Sequence, residues 1–322
     1  MDIDVYTKAE LPTVFGVLRT ALALGDPLGA RERAFLATYA RIVGYELGAD
    51  APLPMGAQSV RIDGAHQRKR LVQLAAMAVL LQRPVRADAL AYLKDLARQL
   101  ETHDAVIDVS DALHRGRFIA VRLRAMRRAM RVMFKEAWLA EGPRGMLRLF
   151  AAMMLKAAVN KDKVWNFKRL GLLPEGTLGR EYWKHMTIER FGFPGEPAGI
   201  ADSVSYHDIA HVLAGYEATP IGEIQQGSFQ GGNRREDGFF FIQFVLLHFH
   251  QGAKITPGAP PAIDNFDPEK VLWAIHRGAQ CNVDMTHQWN YWPLMSLPLH
   301  EARAAVALLP KLPPKAPMLR VA

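Results

Sequence analysis

SYHDIAHVLAGYEATPIGE, residues 205–223, is the stretch that decides how this chain folds and what it can hold. If 206–215 is helical, His207 and His211 lie four apart and share one face. Asp208, three residues before His211, borders the same face. Gly215 is a natural helix stop, and Thr219-Pro220 reads as an N-cap followed by a proline in the first turn. Glu223 therefore belongs to a second helix, which a tight turn can swing back over the first. Two imidazoles and two carboxylates then meet at one point, a donor set that suits zinc and also iron or manganese. Each residue has a purely structural alternative. Ser205 followed by Asp208 resembles a capping box, and His207 and His211 would serve equally as hydrogen-bonded core histidines.

Helical spacing continues on both sides of this stretch. Apolar residues recur every three or four positions over 30–47, 66–82 and 86–101, with a Gly/Pro loop at 48–56. Helix-like stretches follow at 144–160, 178–190, 239–250, 268–285 and 300–309, and the tail from Leu308 is Pro-rich and reads as extended. The predicted fold is all-α, a multi-helix bundle. It divides into an N-terminal helical module over 1–110, similar by pattern alone to TerB-like modules, a basic connecting helix over 111–141, and a metal-binding helical domain over 142–322. Eight of the eleven histidines follow Gly142, which places the chemistry in that last part.

Half of the 322 residues are apolar, enough for a sizeable core. One cysteine, Cys281, excludes an intramolecular disulfide framework. The polar start MDIDVYTKAELP lacks the features of a secretory signal, and no run reaches the ~18 apolar residues of a membrane span. The expected location is cytoplasmic, peripherally on the inner face of the membrane.

The net charge of +8 favours anionic partners. Much of it lies in 115–135, where Arg115, Arg117, Arg122, Arg124, Arg127, Arg128, Arg131 and Lys135 occur with no acid between them. Ile119, Leu123, Met126, Met130, Met133 and Phe134 recur on another side. Such a helix either lies in an anionic membrane interface or packs its apolar side inward and solvates its arginines. Nucleic acid is not expected as a partner, because no aromatics are interleaved for base stacking and no nucleic-acid motif accompanies the charge.

The metal stretch resembles a known signature. His207-Asp208-Ile209-Ala210-His211, eleven residues and then Glu223 is similar to the His-Asp-x-x-His…Glu motif of the coenzyme Q biosynthesis protein four family, with Gly215 and Gly222 also matching. LLPEGTLGREYWKHM (172–186), AIHRGAQCNVDM (274–285) and WNYWPLMSLPLHEAR (289–303) resemble flanking segments of that family in the same order. The resemblance covers roughly residues 145–310. It implies zinc at the four positions and a peripheral membrane protein of ubiquinone biosynthesis. It further implies C1-decarboxylation of a polyprenylated hydroxybenzoate, in some accounts with hydroxylation, and association with other quinone-biosynthesis enzymes. A homo-oligomer is compatible with the sequence. One departure stands out: IQQGSFQGGNRREDG (224–238), with four glycines, is expected to interrupt the helix that carries Glu223 or to form a loop.

Two other functions fit parts of the pattern. An HD-type metal phosphohydrolase would use His207-Asp208 with an upstream His185 and a downstream Asp264 or Asp284. A non-catalytic prenyl-lipid-binding scaffold would keep the metal for the fold alone. Secondary candidates for the catalytic pocket are His276, Arg277, Asp284 and His287, each more often structural. His248 and His250, in the apolar run FFFIQFVLLHFHQ, read as satisfied core residues.

Overall fold

Residues 65–81 carry apolar side chains on every side, and in the computed structural model this helix forms the centre of the first core, buried without a break from Arg70 to Leu81. Residues 1–48, 52–155, 161–196, 205–256 and 259–313 are described. Among them the regular elements are helices, with two isolated antiparallel bridges, Thr177–Pro298 and Gln251–Ile263. The helices are α1 (Leu11–Ala23), α2 (Ala30–Val43), α3 (Ala65–Leu81), α4 (Ala87–Gln99), α5 (Ala105–His114), α6 (Phe118–Leu155), α7 (Lys161–Lys168), α8 (Leu178–Ile188), α9 (Ser205–Ala214), α10 (Pro220–Asn233), α11 (Phe239–Phe249), α12 (Pro268–Gln280) and α13 (Leu299–Ala305). The all-α bundle is as expected. Residues 49–51, 156–160 and 314–322, parts of the expected 48–56 loop, the 144–160 helix and the extended tail, lie outside the described residues.

Local chemistry sets several starts. The Asp104 carboxylate accepts from Val106 N at 3.0 Å at the start of α5, and Asp267 accepts from Glu269 N and Lys270 N at 3.1 and 3.3 Å at the start of α12. α6 is broken at Gly142, whose φ of +56° leaves the helical region just before Pro143. The helix expected over 268–285 stops at Gln280. Asn233 captures the chain beyond it, donating to Val283 O at 2.7 Å and accepting from Met285 N at 2.6 Å.

The cores do not follow sequence order. One cluster joins α1–α5 and the start of α6 to Ile224, Phe239, Ile242, Leu246, Leu247, Leu272 and Ile275. A second gathers Phe167, Tyr182, Ile209, Leu213, Phe229, Tyr291 and Ala302. Helices α10 and α12 contribute to both.

The expected break at 224–238 does not occur where the glycines are. α10 runs unbroken through Gly227, Gly231 and Gly232, and only 234–238 is irregular. The reason is close approach. A Cβ on Gly232 would sit 2.0 Å from Ile275 O, one on Gly227 2.3 Å from Val245 Cγ1, and one on Gly231 2.5 Å from Ile242 Cγ1. On the facing helix, a Cβ on Gly278 would sit 2.0 Å from Phe229 O. Each helical glycine costs about 1 kcal/mol in propensity, and the backbone-to-backbone packing of α10 on α12, with α11 side chains fitted over Gly227 and Gly231, offsets it. The buried Met1 amino nitrogen lies within hydrogen-bond reach of the carbonyls of Gly231, Gly232 and Arg234 at the end of α10.

Candidate metal centre

α9 ends where the sequence places its stop. Gly215 takes φ +76°, and the N–H groups of Gly215 and Tyr216 both return to His211 O. Thr219 caps α10, its hydroxyl accepting from Gly222 N at 3.2 Å. The intervening turn is tight enough that a Cβ on Gly222 would lie 1.9 Å from Glu217 O. This turn lays the first turn of α10 against α9 and brings Glu223 to the two histidines.

The ligand atoms of His207, His211 and Glu223 all lie within 4.8 Å of one another and could hold a metal ion. The Nε2 atoms of His207 and His211 are 3.2 Å apart, and Glu223 oxygens lie 3.7 and 3.5 Å from them. Ligands about 2.0–2.1 Å from a tetrahedral ion are separated by about 3.3 Å, which the Nε2–Nε2 distance matches, while the carboxylate turns one oxygen toward each ring. Both rings are oriented from behind. His211 Nδ1 donates to Tyr216 O at 3.1 Å, and His207 Nδ1 donates to Gln230 Oε1 at 2.8 Å, the tautomers being assigned from these acceptors. Each ring thereby presents the Nε2 lone pair to the common point, as metal-binding histidines do.

The electrostatics match two imidazoles sharing one carboxylate. Burial works against the His207 imidazolium, but its hydrogen bond to Glu223 and the charges of Asp208 and Glu223 outweigh it and raise its pKa to about 9. Burial likewise disfavours the Glu223 carboxylate, yet hydrogen bonds and charge from His207 and His211 hold it well below the usual carboxylate range. Without an ion, His207 and Glu223 form an imidazolium–carboxylate pair.

Asp208, expected as a fourth ligand, does not join the trio. It is buried on α9, and burial raises its carboxyl pKa, partly countered by His207 and His211. At 100° per residue it is turned away from the line joining His207 to His211.

Of the secondary candidates, Arg277, Asp284 and His276 lie outside the trio and are engaged structurally. Arg277 is buried, donating to Ala214 O at 3.2 Å, Tyr216 Oη at 2.5 Å and Leu309 O at 3.0 Å, which ties the end of α9 to the C-terminal segment. Asp284 closes a turn, accepting from Thr286 N and Oγ1 at 2.8 and 2.6 Å and from Arg235 N at 3.1 Å. His276 packs on Trp273 with ring centroids 5.2 Å apart. Asp264 pairs with Arg31 on the surface, so neither aspartate considered for a phosphohydrolase reaches the trio. His248 and His250 are core residues as expected. Their Nδ1 atoms accept from Ile255 N and Phe266 N at 3.0 and 3.1 Å, and their Nε2 atoms donate to Ala259 O and Leu81 O, each at 3.1 Å.

His185 does approach. Its ring stacks on His211 at 5.8 Å and 18°, and burial with the adjacent His211 lowers its pKa to about 4, so it stays neutral. Gln226 and Gln230 had no sequence signal while their segment read as a loop. As a helix, 223, 226 and 230 fall on one face toward α9, and Gln226 Nε2 reaches His207 O at 3.4 Å. No protein-family model and no curated protein matches the chain.

Proposed function

We propose that the protein is a metal-dependent decarboxylase acting on a polyprenylated hydroxybenzoate at a membrane surface, with His207, His211 and Glu223 holding zinc. The observation that carries this reading is the pair of oriented Nε2 atoms 3.2 Å apart facing the Glu223 carboxylate, the three ligand atoms lying within 4.8 Å of one another. A zinc ion bound there supplies a Lewis acid that can take a carboxylate or phenolate oxygen and stabilise charge as carbon dioxide leaves. The chain's own groups orient and bind. Gln230 and Tyr216 O fix the two rings. His185 Nε2, Gln226 Oε1 and Gln230 Nε2 are buried and have no hydrogen-bond partner among the described residues, so they offer donors and acceptors to a ring hydroxyl or carboxylate. The resemblance to the coenzyme Q biosynthesis protein four family supports the choice of an aromatic acid and of quinone-biosynthesis enzymes as partners. No helix among the described residues is long and apolar enough to cross a membrane, which is consistent with peripheral attachment.

The test is elemental analysis of protein purified without added metal, followed by assay with carboxyl-labelled polyprenyl hydroxybenzoate. We expect about one zinc per chain and labelled carbon dioxide released by wild type but not by Glu223→Gln. Absence of stoichiometric metal sinks the centre. Metal with no carbon dioxide release leaves a metal-stabilised scaffold instead.

A further inference from the structure

Ile119, Leu123 and Met126 recur at i, i+4 and i+7 along α6, and this spacing puts them in one line on the helix surface. That line faces outward: the three are 79, 52 and 40% exposed, whereas Val121 and Ala125, on the opposite side, are buried in the first core. Arg128 fixes the orientation from beneath, donating to Gln243 Oε1 at 3.0 Å and to the carboxylate of Asp237, and lying 3.7 Å from Asp104. An exposed apolar stripe on a helix already anchored by its other face is not explained by the protein's own packing.

The cations define what covers it. Arg122 flanks the stripe on one side, and Arg127 and Arg131, four apart, flank it on the other. These three arginines are exposed, and none makes a side-chain hydrogen bond or ion pair to a described residue. Phe118 and Trp138 are also exposed, at positions about 30 Å apart along the helix. We infer that this outer face of α6 is a bilayer-docking surface for anionic phospholipid, with Ile119, Leu123 and Met126 entering the acyl boundary while Arg122, Arg127 and Arg131 meet the head groups.

The charge pattern selects this occupant over others. A second copy docked through the same face would bring its own arginines against these, at a cost in repulsion. A nucleic-acid backbone would use the arginines but leave the central apolar line against phosphate, with no gain. An anionic bilayer satisfies both parts at once, as interfacial amphipathic helices do. The surface is made by α6 alone, so the inference does not rest on the metal centre or its chemistry.

The experiment is co-sedimentation of the full chain with vesicles of phosphatidylcholine alone and of phosphatidylcholine mixed with phosphatidylglycerol, at low and high sodium chloride. Binding to the anionic vesicles, weakened by salt and absent from neutral ones, is expected. Each arginine near an anionic surface is worth about fivefold in partitioning, so Arg122→Gln, Arg127→Gln and Arg131→Gln together should lower it about a hundredfold. Ile119→Glu, Leu123→Glu and Met126→Glu together should abolish it. All six side chains are exposed, so circular dichroism should report an unchanged fold. The inference is overturned if wild type does not sediment, or if it binds neutral and anionic vesicles equally. It is also overturned if the apolar triple variant binds as well as wild type, if a duplex oligonucleotide is bound in place of vesicles, or if the same variant dissolves a dimer seen by light scattering. Zinc content, measured alongside, should be unaffected in every case, which separates failure of this surface from failure of the metal reading.

Discussion

Gly278→Ala tests the crossing that positions Glu223. By helix propensity alone the change should stabilise α12 by about 1 kcal/mol. The structure gives the opposite sign. The new Cβ would lie 2.0 Å from Phe229 O and 2.7 Å from Asn233 N, both backbone atoms of α10 that cannot rotate away. An ordinary carbon–oxygen contact is about 3.3 Å, so the two helices must part by about 1.3 Å. Separation on that scale forfeits a large part of the dispersion contact along the crossing, and overpacking of a fitted core costs about 3 kcal/mol. It also stretches the bond from Asn233 Nδ2 to Gly278 O, now 3.2 Å, for about 1 kcal/mol more. Less the propensity gain, the net loss is about 3 kcal/mol, or about 4 °C in melting temperature for a chain of this size. Differential scanning calorimetry reads the shift, and zinc affinity reads the displacement of Glu223. A melting temperature equal to or above wild type would refute the close approach of α10 and α12 and the account of why this helix tolerates its glycines.

Other consequences follow from the site. Gln230→Leu removes the acceptor behind His207 and should weaken zinc binding by about 10–100-fold with the fold intact, measured by competition with a chromogenic chelator; unchanged affinity would show that the ring needs no such support. In metal-free protein, the raised pKa of His207 makes its pairing with Glu223 stabilising below pH 6.5 and lost as pH rises through about 9. The depressed pKa of Glu223 makes the same pairing present above about pH 4.5 and lost as pH falls. Denaturant midpoints against pH should therefore peak at mildly acidic pH, and the alkaline decline should vanish in His207→Gln. Cys281 is buried and its thiol is pushed up to about 12 by burial, so native protein at neutral pH should resist iodoacetamide until denaturant is added; prompt labelling would contradict the packing around α12.

The part of the site that the sequence made legible is the part set by short-range rules. Spacing put His207 and His211 on one face, Gly215 ended their helix, and Thr219-Pro220 began the next. The rest depends on contacts far apart in sequence. The four glycines of 224–238 look like a break because their local cost is visible in the sequence. The carbonyl of Ile275 and the side chains of Val245 and Ile242, which they make room for, are not. Gln230 was hidden by the same misreading. Asp208 has the i, i+3 spacing to His211 that helical geometry allows a ligand, but the trio that forms is His207, His211 and Glu223. Arg277 and Asp284 had the right chemistry for a pocket, and only the fold shows that it is spent on backbone groups of other segments.

The sharing of α10 and α12 between two cores has a consequence for how the protein comes apart. Excising residues 1–141 would strip the cover from Leu246, Leu247, Leu272 and Ile275, so the part that carries the candidate metal trio is not a removable module. Its ligand helix α10 is clamped at one end by Glu223 beside the histidines and at the other by the first residue of the chain. Melting of either half should drag the other with it, and a chelator acting at the centre should loosen amide protection in helices that never touch the ion.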